Sequence, residues 1–311
     1  MPKAMQRILL AIALLLQSAI GCAQGEPIQV VTSFSILEDL VHELGGAQVR
    51  ITNLVGRNSD AHMYQPRPSD ATAITRADLV ILNGLGFEGW ITRLMDLNDY
   101  RNARLVASEG VQPLMIGDET DPHAWQSFDN IAVYIGNITR ALVALRPEHK
   151  AEFTQRHAAY LQRVHALQRE MLERINAVPP QQRVVVTSHD AFGYLGREFN
   201  IQFLAPVGLS TDAEATANDV SGIIREIRRL GVRALFMENI NNPRLLEQIS
   251  AETGISIGGR LYSDALGDID GPAATYLSMM RHNIESLATA LHPGQARPDP
   301  SATPSTSRHP P

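Results

Sequence analysis

The chain has 311 residues, of which 44% are hydrophobic and 19% are charged, enough apolar material for one large domain or two ordinary ones. Its 27 Lys and Arg against 33 Asp and Glu give a formal net charge of −6, so it lacks the basic field that nucleic-acid binding usually needs. A single cysteine excludes an internal disulfide framework, a thiolate zinc cluster and a Cys-x-x-Cys redox site, so any metal here must use imidazole and oxygen.

The N-terminus has the pattern of a secretory signal peptide, which we assign to residues 1–23. Lys3 and Arg7 precede an apolar run over residues 8–16, and small residues follow around Cys22. This run is shorter than the roughly 20 residues that span a bilayer core. Cleavage after Ala23 would remove the only cysteine, whereas cleavage before Cys22 would leave it as the lipid-modified first residue of a bacterial lipoprotein. We therefore expect an exported protein, with or without a lipid anchor at Cys22.

The segments after Glu26 alternate between β-rich apolar and amphipathic stretches, which is typical of βαβ units and a largely parallel sheet. In a first lobe, residues 26–146, we predict strands at 28–34, 49–55, 79–83 and 104–107, and helices at 36–44, 69–76 and 90–97. The next segment, Pro147 to Asn176, contains no glycine and no internal proline, which favours one long helix. One stripe of this linking helix, residues 147–178, is predicted to be buried: Phe153, Ala158, Leu161, Val164, Leu167, Met171 and Ile175.

The α/β alternation restarts after Pro180 and predicts a second lobe over residues 179–292 that mirrors the first. The residues that follow, 293–311, are rich in Pro, Ser and Ala and have too little apolar content to fold, so we predict a disordered tail. The fold class is therefore α/β, with two lobes, each a mainly parallel sheet flanked by helices, joined by one long backbone helix. Strands are predicted at 183–187, 201–205, 234–238 and 255–261, and helices at 191–198, 217–230, 243–253 and 273–291.

Four predicted strand exits carry side chains that can bind a metal. His62 and His123 follow strands of the first lobe, and His189 and Asp264 follow strands of the second. Ligands of open α/β sheets bind outside the carboxyl ends of the strands, so the cleft between two lobes would bring these exits together. Three imidazoles and one carboxylate oxygen suit tetrahedral zinc, whereas a carboxylate that binds through both oxygens would accommodate manganese or iron.

The remaining histidines are predicted to be solvated, because they fall in polar helical segments, at a helix end or in the tail. Glu238, at the end of a second-lobe strand, is a candidate for accepting a hydrogen bond from one ligand imidazole and so orienting it. An ordinary strand-end carboxylate is the alternative interpretation of Glu238. The seven solvated histidines are His42, His149, His157, His165, His282, His292 and His309.

With these segments in this order, the chain resembles the substrate-binding proteins of ABC-type importers for zinc and manganese. The likeness covers nearly all of the mature chain and includes the long helix and the segments 208–214 and 237–244. The resemblance implies that His62, His123, His189 and Asp264 hold a divalent metal in the periplasm. It further implies a monomeric carrier, not an enzyme, that delivers the metal to a membrane permease with a cytoplasmic ATPase, and that releases it when the lobes separate slightly.

Departures from the family pattern bear on the choice of metal. Ala61 and Gln65 stand where the family often has proline and glutamate, but neither change removes a ligand atom. The His- and Asp-rich loop of many zinc-specific members is absent from residues 112–120, while His189 stands where manganese-preferring relatives often have glutamate. The ligand set therefore favours zinc and leaves manganese or ferrous iron as alternatives.

Two other functions are compatible with these residues. A secreted zinc hydrolase could use Glu238 or Asp264 as general base, but catalysis needs an open coordination position, which four protein ligands would close. A surface adhesin of the same fold could use the metal only for stability, and nothing in the sequence separates it from a transport protein.

Overall fold

The computed structural model describes residues 26–292, which form two four-stranded parallel sheets flanked by helices. The predicted signal peptide, Cys22 and the predicted disordered tail lie outside these residues. The first lobe consists, in chain order, of β1 (Ile28–Phe34), α1 (Ser35–Gly45), β2 (Val49–Val55), α2 (Pro68–Arg76), β3 (Leu79–Leu82), α3 (Gly89–Leu97), β4 (Ala103–Val106), β5 (Leu114–Ile116), β6 (Glu119–Asp121) and α4 (Phe128–Leu145).

The second half begins with the long helix and repeats the α/β alternation, as the sequence predicts. None of the helices over residues 26–292 combines the length and apolar character that crossing a membrane requires. The elements are α5 (Lys150–Asn176), β7 (Val184–Val186), α6 (Gly193–Phe199), β8 (Gln202–Leu204), α7 (Ala217–Leu230), β9 (Ala234–Glu238), α8 (Arg244–Thr253), β10 (Ile257–Leu261) and α9 (Tyr276–Leu291).

Both sheets have the same strand order. The first runs β2-β1-β3-β4 and the second runs β8-β7-β9-β10, with every pair parallel. In each sheet, the next two strands in the chain lie on opposite sides of the first strand, so the chain changes direction across the sheet at that strand. Parallel α/β sheets bind their ligands at the carboxyl ends of the strands beside such a point. The prediction of two similar lobes of mainly parallel sheet is confirmed.

The long helix α5 packs along α4 and α1 of the first lobe and α9 of the second. Five of its seven predicted core positions are fully or almost fully buried, but Ala158 is exposed and Leu161 is only partly buried. Tyr160, which the predicted stripe leaves out, fills the core at 2% exposure. Tyr160 lies four residues before Val164 and so on the same face of the helix, and the neighbouring helices cover this face rather than the one that carries Ala158.

One helix and one β-hairpin of the structure are not among the predicted elements. Helix α4 follows Ser127, whose hydroxyl accepts a hydrogen bond from the Asn130 amide as an N-cap, and the β5–β6 hairpin turns at Gly117 with φ of 61°. Element ends also differ by a few residues. The linking helix starts at Lys150 because Pro147 begins a separate 3₁₀ turn, and α9 starts at Tyr276 because Thr275 caps it.

Candidate metal centre

The structure brings together the four side chains that the sequence singles out. Nε2 of His62 lies 3.4 Å from Nε2 of His123 and 3.3 Å from Oδ2 of Asp264. His189 Nε2 lies 3.2 Å from Asp264 Oδ2, and His123 Nε2 lies 3.6 Å from Asp264 Oδ1. All four ligand atoms fall within 4.8 Å of one another. Ligand atoms placed tetrahedrally around zinc at about 2.0–2.1 Å are about 3.3 Å apart, so these spacings match the edges of a zinc coordination shell.

His123 is held by an aspartate that the sequence analysis did not single out. Asp121, the last residue of β6, accepts hydrogen bonds through Oδ1 from both the backbone amide of His123, at 2.9 Å, and its ring Nδ1, at 2.8 Å. Both side chains are completely buried. An Nδ1 proton donated to the carboxylate leaves the lone pair on Nε2 and raises the basicity of that nitrogen toward the other ligands.

His189 also has a buried carboxylate partner, Glu238, which forms an ion pair with its ring. Its Nδ1 lies 2.6 Å from Oε2 of Glu238, and Oε1 of the same carboxylate accepts hydrogen bonds from the backbone amides of Ser188, at 2.8 Å, and His189, at 2.9 Å. Glu238 ends β9 and is 2% exposed. Glu238, the residue predicted as a candidate for orienting one imidazole, thus holds the backbone of His189 by hydrogen bonds and lies against its ring as an ion pair.

His62 is positioned differently, by packing rather than by a carboxylate on its ring. Its imidazole contacts the Phe87 ring edge-on, with centroids 4.6 Å apart and an interplanar angle of 75°. Trp90 Nε1 donates a hydrogen bond of 2.9 Å to the carbonyl of Ala61, and the amide of His62 donates to Oδ1 of Asp60 at 2.8 Å. The His62 side chain is 5% exposed, whereas the side chains of His123, His189 and Asp264 are completely buried.

Asp264 is the fourth side chain of the cluster, and its carboxylate faces the Nε2 atoms of the three histidines. It is completely buried, and neither of its oxygens accepts a hydrogen bond from any residue over 26–292. The preceding carbonyl, that of Ser263, accepts hydrogen bonds from Trp125 Nε1 at 2.9 Å and Gln126 Nε2 at 2.7 Å. A buried carboxylate without donors is costly unless a cation compensates it, so the orphaned oxygens of Asp264 indicate a cation position among the three rings.

The electrostatics of the site are dominated by three buried carboxylates. Within residues 26–292, the ion pairs of Asp121, Glu238 and Asp264 are with the histidines alone. Burial opposes charge on His189, but Glu238 and Asp264 outweigh it and hold the pKa of His189 well above its usual value. Burial likewise opposes charge on Asp264, but His189 and His123 hold the pKa of that carboxyl well below its usual value. The site therefore favours positive charge, whether as protons or as a metal cation.

The other histidines described by the structure lie apart from this cluster, and residues 26–292 contain no second group of metal-binding side chains of this kind. His42, His165 and His292 are exposed, as predicted. His157 and His282 are only partly exposed and make hydrogen bonds, with Thr139 Oγ1 at 3.1 Å and with the Arg260 carbonyl at 3.0 Å. The prediction that all are solvated is thus too simple for these two. His149 is also partly buried, and His309 lies outside the described residues.

A family model described as zinc-uptake complex component A, periplasmic, matches residues 30–290. The chain belongs to this family. It is therefore a substrate-binding component of a metal importer of the ABC type and not an enzyme, which excludes the zinc hydrolase alternative and confirms the resemblance inferred from the sequence.

Proteins similar to this chain are named for different metals. The manganese-binding lipoprotein MntA of Halalkalibacterium halodurans is 30% identical over 91% of this chain and 97% of its own length. The iron-binding protein YfeA of Yersinia pestis is 30% identical over 84% of this chain and 85% of its own length. Among solved structures, the periplasmic zinc-binding protein TroA of Treponema pallidum has a TM-score of 0.82 at 30% identity and covers 86% of this chain and 99% of its own.

Proposed function

We propose that this protein captures a divalent transition metal, zinc by preference, in the periplasm and delivers it to an ABC-type permease with a cytoplasmic ATPase. His62, His123, His189 and Asp264 are the proposed ligands. The observation that carries the proposal is the set of ligand-atom spacings of 3.2–3.6 Å around a buried carboxylate that has no hydrogen-bond donor. The metal is the transported substrate of the protein, and the four side chains would enclose it without an open coordination position.

Zinc is favoured by the ligand chemistry. Three neutral imidazoles and one carboxylate oxygen are borderline ligands that zinc binds more tightly than manganese or ferrous iron. The hydrogen bond from His123 Nδ1 to Asp121 and the ion pair of His189 Nδ1 with Glu238 make these two imidazoles stronger metal ligands, which adds to this preference.

A manganese or ferrous iron carrier is the second candidate, supported by a separate observation. Both oxygens of Asp264 face the site without a hydrogen-bond partner among residues 26–292, so both are available to one cation and would make five ligand atoms. Five-coordinate sites suit manganese and iron, and relatives named for those metals are as similar to this chain as the zinc-binding structure. Since zinc binds most sites more tightly than manganese whatever the physiological cargo, affinity alone does not decide between the two candidates.

Release follows from the way the ligands are divided between the lobes. His62 and His123 come from the first lobe, and His189 and Asp264 come from the second, so a small relative movement would break the coordination shell. We further propose that residues 26–146 and 179–292 act as the two lobes, that residues 147–178 link them, and that the protein works as a monomer.

The processing of the N-terminal leader has two proposed forms, cleavage after residue 23 and cleavage before Cys22 with attachment of a lipid. The mass of the mature N-terminus distinguishes them.

The binding experiment is a competition between purified protein and a chromophoric chelator for zinc, manganese and ferrous iron. His123→Ala and His189→Ala should each lose tight binding, whereas His282→Ala, which removes an imidazole on α9, should bind like the wild type. Wild-type affinity in both ligand variants would contradict the ligand assignment. Elemental analysis of the protein purified from its own host then identifies the physiological metal, and manganese or iron in place of zinc would favour the second candidate.

A further inference from the structure

Several sets of hydrogen bonds join the two lobes, and two of them, at different depths, bear on the proposed ligands. The deeper set consists of Trp125 and Gln126, both of which donate to the carbonyl of Ser263 from completely buried positions. Because these residues lie next to His123 and Asp264 in the chain, this set fastens one ligand of each lobe to the other. In this arrangement of the lobes, these bonds hold the segment that carries His123 against the segment that carries Asp264.

The shallower set joins the His62 segment to the second lobe through Asp60. Oδ1 of Asp60 accepts the backbone amide of His62 at 2.8 Å, and Oδ2 accepts the hydroxyl of Thr211 at 2.6 Å. Thr211 belongs to the second-lobe loop 205–216, which lies between β8 and α7 and contains neither helix nor strand. One carboxylate thus connects the most exposed ligand to a loop of the opposite lobe.

That loop is also attached beside His189. Val207 forms a parallel β-bridge with His189, and the amide of Asp190 donates to the carbonyl of Gly208 at 3.2 Å. The chain from Val207 to Thr211 therefore spans the mouth of the site, from the His189 ligand of the second lobe to the His62 ligand of the first.

A cavity of about 620 Å³ opens at this mouth and reaches His62. Ser210 and Asp212, on either side of Thr211, line it together with Met63 and Phe87. Since His62 is the only one of the four ligands with an exposed fraction above zero, the path of the metal between site and solvent runs past His62.

We infer that the bond between Asp60 and Thr211 is a clasp that sets the rate at which the bound metal leaves, an inference that rests on the proposed function. While the clasp is closed, the backbone of His62 is fixed to the second lobe and its ring stays over the site. When the Thr211 hydroxyl leaves Asp60, residues 59–63 lose their bond to this loop and can move, while Asn58 stays anchored by its amide bond of 2.9 Å to the Leu266 carbonyl and the deeper bonds to Ser263 stay in place. Asp60 and Thr211 act through His62 and are positioning residues rather than ligands.

The test measures zinc dissociation by stopped flow, with zinc-loaded protein mixed into an excess of chromophoric chelator. Thr211→Val keeps the shape of the side chain but removes the hydroxyl, and should release zinc about tenfold faster, the factor that corresponds to one lost hydrogen bond to a carboxylate. Thr211→Ser keeps the hydroxyl and should release zinc at the wild-type rate. Thr72→Val makes the same change on α2, where the hydroxyl bonds only its own helix, and should also behave as wild type.

A double substitution tests whether Thr211 acts through Asp60. Asp60→Ala with Thr211→Val should release zinc no faster than Asp60→Ala alone, whereas independent effects would multiply. Release at the wild-type rate from folded Thr211→Val, equally fast release from Thr211→Ser, or multiplied effects in the double variant would each overturn the clasp. Wild-type protein that holds no divalent metal would overturn the proposed function as well, so the two failures are distinguishable.

Discussion

Replacing Glu238 by glutamine should weaken zinc binding without unfolding the protein. The glutamine oxygen can still accept the backbone amides of Ser188 and His189, so the end of β9 keeps its anchor. The new NH₂ group, however, takes the place of Oε2, which lies 2.6 Å from Nδ1 of His189. Two donors then face each other, and the imidazole must move its proton to Nε2 to relieve the clash. That proton occupies the nitrogen that faces the metal.

The expected loss of affinity is about 10–100-fold, the usual effect of removing such a partner, or about 1.4–2.7 kcal/mol. Since metal bound to the folded state stabilises it by mass action, the rise in melting temperature on adding zinc should shrink by roughly 3–10 °C. The metal-free variant should itself melt below metal-free wild type, because Glu238 is the buried ion-pair partner of His189, so the effect on binding is measured as the rise in melting temperature on adding zinc.

Chelator competition gives the affinity, and calorimetry with and without zinc gives the stability. Glu198→Gln is a matched control, because Glu198 also accepts a backbone amide, that of Phe128 at 2.9 Å, but does not contact a ligand. Wild-type zinc affinity in Glu238→Gln, or an equal loss in Glu198→Gln, would refute the role given to Glu238.

Three further predictions concern the pH dependence and the packing of the site. Burial opposes charge on His189, but the surrounding carboxylates outweigh it and raise the pKa of this histidine, so a bound proton competes with the metal. Zinc affinity should therefore keep rising with pH beyond roughly 6.5, the ordinary pKa of histidine. Competition titrations in which the affinity levels off at that pH would contradict this. Burial raises the pKa of Glu88 to about 7. The protonated side chain therefore contributes stability that is fully present at a pH below the ordinary pKa of glutamate and is lost as the pH rises through about 7. The free energy of unfolding, measured with denaturant, should therefore fall between pH 5 and 8 by on the order of 2–3 kcal/mol more in wild type than in Glu88→Gln. Parallel pH profiles for the two proteins would contradict this prediction. Gly193→Ala would place a Cβ 2.7 Å from Oδ2 of Asp121, so it should displace this carboxylate from His123 and lower zinc affinity, whereas unchanged binding would show that the carboxylate tolerates the shift.

Three of the proposed ligands, His62, His189 and Asp264, follow strands of the two parallel sheets, whose carboxyl ends are expected to lie together, so the sequence could place them. His123 follows the antiparallel hairpin β5–β6, which the predicted elements did not include, and not a strand of the parallel sheet. His189 comes three residues after the end of β7 and Asp264 three residues after the end of β10. The resemblance to a known family supplied the rest of the assignment, since widely separated residues give no local motif.

Asp121 was missed although a local signal existed. Both first-lobe ligands occur in the pattern Asp-x-His, and in both the aspartate accepts the backbone amide of the histidine two residues later. The sequence spacing predicts this turn. It does not show that Asp121 also accepts a hydrogen bond from the ring of His123, whereas Asp60 accepts one from the hydroxyl of Thr211. That difference depends on the opposite lobe and therefore on tertiary structure.

The missed elements have similar explanations. Helix α4 carries apolar residues at helical spacing after the N-cap Ser127, and Gly117-Asp118 is a two-residue hairpin signal between two short β segments, so both could have been found. The start of α9 could be set only by choosing Thr275 over earlier residues as the cap. The replacement of Ala158 by Tyr160 in the core reflects the direction from which the neighbouring helices pack, which periodicity alone does not give.

The central claim is that His62, His123, His189 and Asp264 together hold one metal ion. A crystal structure of the zinc-loaded protein, with anomalous diffraction recorded at the zinc edge, tests it most directly. The account predicts a single strong anomalous peak within about 2.0–2.2 Å of the Nε2 atoms of the three histidines and an oxygen of Asp264. A zinc ion bound elsewhere, or one at this position that lacks any of these four residues as ligand, would contradict it.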